Sequence, residues 1–182
     1  MGHLGVILGL FVVLYGASVE AKFFKFEDCT GKLRIANAKR FEIQPDPVNL
    51  RKNMTISLDL EILRDVPEGA MLKTRYYKLK SVFGVNIDVP IPCLLGKFGS
   101  CTISLCKYLR MFKEQAEPLF PEGVEYGCPL KAGNYGGENM EIQIPDMGSI
   151  ARLIVSGRYR TELDLLVEGK SVACYRILAE MR

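Results

Sequence analysis

Alternation with a period of two runs through most of the sequence. Met54, Ile56, Leu58, Leu60 and Ile62 are separated by Thr55, Ser57, Asp59 and Glu61. An extended segment with this pattern turns one apolar face inward and one polar face outward. The pattern recurs at Met140, Ile142 and Ile144, set between Asn139, Glu141 and Gln143. It recurs again at Tyr159, Thr161, Leu163, Leu165 and Val167, set between Arg158, Arg160, Glu162 and Asp164. Val172 to Met181 reads as a further strand entered through Glu168-Gly169-Lys170, and less regular strands cover Lys32 to Ile43 and Met71 to Val89. Turn residues punctuate these runs at Gln44-Pro45-Asp46-Pro47, Pro67-Glu68-Gly69, Ala132 to Gly137 and Ile144-Pro145-Asp146. Ile103 to Phe112 departs from the pattern: Leu105, Leu109 and Phe112 stand at i, i+4 and i+7 and predict a short helix, ended by Pro118 at the latest. Six or more short strands with one short helix predict an all-β fold, an antiparallel β-sandwich. No repeat or linker divides it.

The N-terminal segment has a different character. An apolar run from Leu4 to Tyr15 followed by Val19-Glu20-Ala21 predicts a secretory signal in residues 1–21, leaving 22–182 as a single domain. The run falls short of the roughly 20 apolar residues that a transmembrane helix needs. The chain's one histidine, His3, lies in this segment. The mature chain therefore carries no imidazole, which excludes a Ser-His-Asp triad, a Cys-His pair and an H-E-x-x-H zinc site. Carboxylate-only catalysis survives that exclusion, but Glu114, Glu117, Glu122 and Glu125 read as surface acids. The expectation is a non-enzyme with no catalytic residue, no metal and no cofactor. Loss of residues 1–21 removes Glu20 but no Lys or Arg, raising the formal net charge from +3 to +4. Acids and bases are interleaved, so no nucleic-acid footprint stands out.

All six cysteines, Cys29, Cys93, Cys101, Cys106, Cys128 and Cys174, follow Ala21. An even number in a secreted chain predicts three disulfides, with fifteen pairings open to sequence reasoning. Asn53-Met54-Thr55 is a sequon and marks Asn53 for N-glycosylation. The basic and aromatic stretch Lys73 to Lys80 reads as a solvated edge strand, its second reading being attraction to anionic head groups. Gly133 to Gly137 lacks the Lys-Ser/Thr of a phosphate loop and reads as a turn before a strand. Ile150 to Val155 is oddly apolar for a connection. Ile150, Leu153 and Ile154 are its candidates for membrane contact, unless the loop folds down over the end of the sandwich.

Several strings, taken in order, resemble the ganglioside GM2 activator family. They are Pro45-Asp46-Pro47 before the Asn53-Met54-Thr55 strand, Ile91-Pro92-Cys93, Gly99-Ser100-Cys101-Thr102, and Cys106 in the short helix. Cys128-Pro129-Leu130-Lys131-Ala132-Gly133-Asn134-Tyr135, Ile144-Pro145-Asp146, Gly157-Arg158-Tyr159-Arg160 and Cys174 continue the match to the C-terminus. The resemblance implies an ML-type β-cup, an immunoglobulin-like sandwich splayed to hold lipid chains. It implies a secreted or lysosomal carrier that lifts a glycosphingolipid or phospholipid from a transient anionic membrane surface and presents it to a hydrolase such as a glycosidase. It also implies the pairing Cys29–Cys174, Cys93–Cys101 and Cys106–Cys128. Two departures from the mammalian activators are plain: Leu119 to Gly123 holds no Cys of a fourth disulfide, and the chain has no Trp.

On this reading the inward residues Leu58, Leu60, Ile62, Met140, Ile142, Ile144, Leu163 and Leu165 line the lipid cavity. Periodicity alone leaves open whether they line a hollow or fill a core. A lipid-sensing interaction protein, such as a receptor accessory or an immune or venom effector, is the alternative on the same fold.

Overall fold

The alternating segments pair as strands in a computed structural model that describes residues 22–182, apart from Gly84, Lys97, Pro145, Met147 and the side chain of Asn86. The expected signal segment, 1–21, lies outside the described residues. The larger sheet runs β1 (Lys25–Asp28), β9 (Lys170–Met181), β8 (Gly157–Val167), β4 (Met71–Val82) and β5 (Val85–Ile91), with β6 (Thr102–Ser104) paired to the start of β4. The smaller sheet runs β2 (Ala36–Gln44), β3 (Met54–Ile62) and β7 (Gly133–Ile142). Every pairing within the two sheets is antiparallel.

Three local expectations change. The stretch Met71 to Val89 is a hairpin of β4 and β5, and β4 is an inner strand flanked by β8 on one side and by β5 and β6 on the other. It is not a solvated edge. Gly133 to Gly137 belongs to β7 rather than to a turn before it. Gly136 has φ +112, and a Cβ there would lie 2.1 Å from the Leu58 carbonyl oxygen, so the close approach of β3 requires glycine. The connection Ile150 to Val155 is helical. It forms α3 (Ser149–Val155), in addition to α1 (Leu105–Met111), the single turn α2 (Lys113–Ala116) and a 3-10 turn at Glu117–Leu119. Helical periodicity is invisible in α3 because its apolar residues leave almost no polar face to contrast with them.

The sheets meet over a filled core at one end. Ile35 and Ala36 at the start of β2, Ile62 at the end of β3, Tyr135 of β7, and Val172 and Ala173 of β9 pack with Val66, Ala70, Leu105 and Leu109. Two disulfides brace this end. Cys29–Cys174 joins the segment after β1 to β9, and Cys106–Cys128 ties α1 to the chain before β7. The third, Cys93–Cys101, closes the connection between β5 and β6. The pairing is the one the resemblance implies. Cys29–Cys174 spans 145 residues, a closure worth about 5 kcal/mol in the chain-entropy account.

Charge marks the outer face of the large sheet. Glu162 on β8 accepts from Arg75 Nε of β4 at 2.8 Å and from Arg176 Nε of β9 at 3.1 Å, and Arg176 reaches Glu27 of β1 at 3.0 Å. These four residues cross four neighbouring strands at matched register. A one-residue slip would drive all of them into the apolar interior. Partial burial works against the Glu162 carboxylate, but hydrogen bonds from Arg75 and Arg176 outweigh it and lower its pKa.

Because the folded value lies below the unfolded one, the ladder's stabilisation is present above about pH 4.5 and lost as pH falls through the depressed folded value. Thermal unfolding followed by circular dichroism is therefore expected to show a steady Tm between neutral pH and about pH 5, with a decline below that. Glu162→Gln lowers the neutral-pH stability by about 1–2 kcal/mol and flattens the acid decline.

Candidate functional site

The inward face of the large sheet continues past the filled core. On β8, Leu165 and Val167 pack against the core, whereas Tyr159 and Thr161, on the same face nearer the strand's start, line a cavity of about 640 Å³. On β9, Ala173 and Tyr175 belong to the core region, and Met181 at the strand's end reaches the cavity. Thr74, Tyr76 and Lys78 extend the same wall along β4. The opposite wall contains no residue of β2, β3 or β7 among the described residues. It is made by Tyr108 and Phe112 at α1, by Leu94 and Phe98 of segment 92–101, and by Ile154 and Val155 of α3.

That segment is sewn to β4. Thr74 donates its amide to the Cys101 carbonyl at 2.7 Å and its hydroxyl to the Gly99 carbonyl at 2.7 Å. The Tyr76 amide donates to Ser100 Oγ at 3.0 Å. These bonds satisfy the segment's polar groups, which would otherwise cost about 1–3 kcal/mol each against an apolar interior. Burial also acts on the phenols: desolvation raises the pKa of Tyr76, and it raises that of Tyr108 beyond the ordinary phenol range. The interior that results is apolar with a few hydroxyls, the usual character of a ligand cavity.

The rim is apolar as well. Leu94, Phe98 and Ile154 line the cavity and are also 51%, 54% and 66% exposed. Leu95 beside them is 89% exposed, and Ile150 and Leu153 on α3 are 77% and 78% exposed. A groove of about 560 Å³ adjoins the cavity; Met54, Ile142, Ile144, Phe98 and Phe112 line it together with the charged Arg110, Lys113 and Glu114. Phe98 and Phe112, edge to face at 6.5 Å, stand in both linings.

The eight residues expected to line the cavity lie elsewhere. Ile142 and Ile144 line the adjoining groove. Leu60, Ile62 and Leu165 belong to the filled core or pack against it. Leu58 borders a shallow recess beside Gly136 and Gly137, while Met140 and Leu163 are half-buried. Period-two alternation marks every inward position alike; it does not mark whether a second sheet faces that position. Ile154 sits at the cavity itself, with Ile150 and Leu153 exposed on the same helix. The lining residues that the alternation missed include Thr74, Tyr76 and Lys78. They sit at alternate positions in the basic and aromatic stretch, a signal masked by its charge.

The ML-domain family matches residues 23–181. The chain belongs to the ML-domain family. Full-length relatives are similar to it: the ganglioside GM2 activator of Mus musculus is 27% identical over 197 residues, covering 100% of this chain and 99% of its own. That of Macaca fascicularis is 28% identical over 189 residues, covering 97% and 94%. Among solved structures, a Niemann-Pick type C2 protein from Japanese carpenter ant aligns with TM-score 0.43 and 15% identity, over 87% of this chain and 99% of that one.

In this ML domain, Phe112→Ala is expected to join the cavity and the groove. The measurement is uptake of an environment-sensitive apolar dye, which rises in the variant, while stability falls by about 2 kcal/mol from the lost ring contacts.

Proposed function

We propose that this ML domain is a non-catalytic lipid carrier. It takes the acyl chains of a glycosphingolipid or phospholipid from a membrane into the cavity of Tyr76, Tyr108 and Thr161. The head group stays at the rim, where a soluble hydrolase such as a glycosidase acts on it. The observation that carries this reading is an apolar interior of about 640 Å³ that opens through exposed apolar side chains. A lipid chain of about 16 methylenes forfeits roughly 13 kcal/mol on entering water. A carrier must replace that environment, and an interior with satisfied polar groups does so. The full-length similarity to ganglioside GM2 activators supports the same reading.

Membrane contact is assigned to the rim. Ile150, Leu153 and Ile154 enter the acyl boundary of the bilayer, joined by the fully exposed Phe83 at the tip of the β4–β5 hairpin. The net positive charge of the mature chain favours an anionic surface. The protein travels the secretory route after cleavage at Ala21, to the extracellular space or the lysosome. It carries a glycan on Asn53, which is exposed at the start of β3 with its amide 2.6 Å from Glu141 Oε1.

Native mass spectrometry after incubation with mixed-lipid vesicles tests the reading. The expected result is a protein mass plus one lipid, weakened by Thr161→Trp, whose indole takes up part of the cavity. A bare protein mass under every lipid condition overturns it.

A further inference from the structure

Lys78 is the one formally charged side chain among the described residues that line the cavity. Its ammonium donates to the Ile154 carbonyl at 2.9 Å and stands 5.4 Å from the centre of the Tyr159 ring. Both partners are uncharged. The arginines of the same two strands differ: Arg75, Arg158 and Arg160 each reach a carboxylate at 2.7–3.0 Å. No carboxylate pairs with Lys78 among the described residues. Gly157 has φ +136, and a Cβ there would meet Lys78 Cε at 2.9 Å and Nζ at 3.5 Å. The lysine stem thus lies across a site kept clear by the missing side chain.

The ammonium is open to solvent at the cavity mouth, and an anion seated against it forms a charge-assisted hydrogen bond, stronger than one between neutral groups. The ammonium has three hydrogens, of which the Ile154 carbonyl accepts one. We propose that Lys78 determines specificity: it selects amphiphiles whose head group carries a net negative charge over net-neutral ones with the same chains. The phosphate of a phospholipid whose head group has no cation of its own and the carboxylate of a fatty acid share that chemistry. The anion accepts the ammonium hydrogens that Ile154 leaves unused, while the chains lie along Tyr76 and Thr161. This inference rests on the reading of the cavity as a lipid site.

The experiment measures extraction of a trace tail-labelled lipid from host phosphatidylcholine vesicles of fixed composition, so that surface charge stays constant between arms. The labelled lipids are two pairs of matched chains: phosphatidylglycerol with phosphatidylcholine, and oleate with oleyl alcohol. The wild-type chain is expected to extract phosphatidylglycerol about ten-fold better than phosphatidylcholine, or oleate about ten-fold better than oleyl alcohol, and the pair with the larger ratio identifies phosphate or carboxylate as the favoured anion. Lys78→Met brings each ratio close to one, because extraction of the anionic lipid falls to that of its net-neutral counterpart. Lys32→Met, which removes the same charge from an exposed position beyond Cys29, keeps the wild-type ratio. Failure to extract any lipid overturns the cavity reading itself. Extraction without preference, a preference that survives Lys78→Met, or equal loss of both lipids in that variant overturns the assignment of Lys78 and leaves the cavity reading standing.

Discussion

The two sheets are unequal, and most of the architecture depends on that mismatch. Six strands present more inward surface than three strands can cover. Where β2, β3 and β7 lie opposite, the interior closes to the density of an ordinary core around Ile35, Ile62 and Val66. Where they do not, the inward face of β4 and β8 must be covered by other elements. The structure uses α1, segment 92–101 and α3, none of which packs as flatly as a sheet. A void remains beneath them. Such a void forfeits dispersion contacts and lowers stability, so the closed end has to be well braced. The Cys29–Cys174 and Cys106–Cys128 bridges stand there.

Electrostatics divides the large sheet in the same way. Its outer face is held in register by Arg75, Glu162, Arg176 and Glu27, each paired across a strand boundary. Its inner face is apolar except at the mouth. There Lys78 spans the distance from β4 to the end of α3, linking the wall of the cavity to the helix that presents Ile150, Leu153 and Ile154 to solvent. Register, cavity and exposed helix therefore meet in one short part of β4, between Arg75 and Lys78.

Much of this was legible in the sequence. The strands of β3, β8 and β9, the helix at Leu105 to Met111 and the sandwich class follow from the spacing of apolar residues. The disulfide pairing followed from family resemblance and not from spacing. The cavity was the hard part. Leu60 and Thr161 occupy equivalent inward positions on their strands, yet one packs against the core and the other lines a hollow. What separates them is the width of the opposite sheet, a property of strand order that no local pattern carries. Tyr76 and Lys78 were obscured for a related reason. In isolation a Lys-rich strand reads as a solvated edge, and the pairing of β4 on both sides becomes visible only once β8 and β5 are assembled around it.

The central claim is that one interior is packed at one end and able to receive a lipid chain at the other. Intermolecular nuclear Overhauser effects between a carbon-13-labelled acyl chain and the protein's methyl groups test it most directly. The account predicts contacts from the chain to the methyls of Thr161 and Val155 and to those of Ile91 and Ile103, which also line the cavity, with none to those of Ile35, Val66 or Leu165. Contacts confined to the exposed methyls of Ile150 and Leu153, or contacts that extend to Ile35 and Val66, would contradict it.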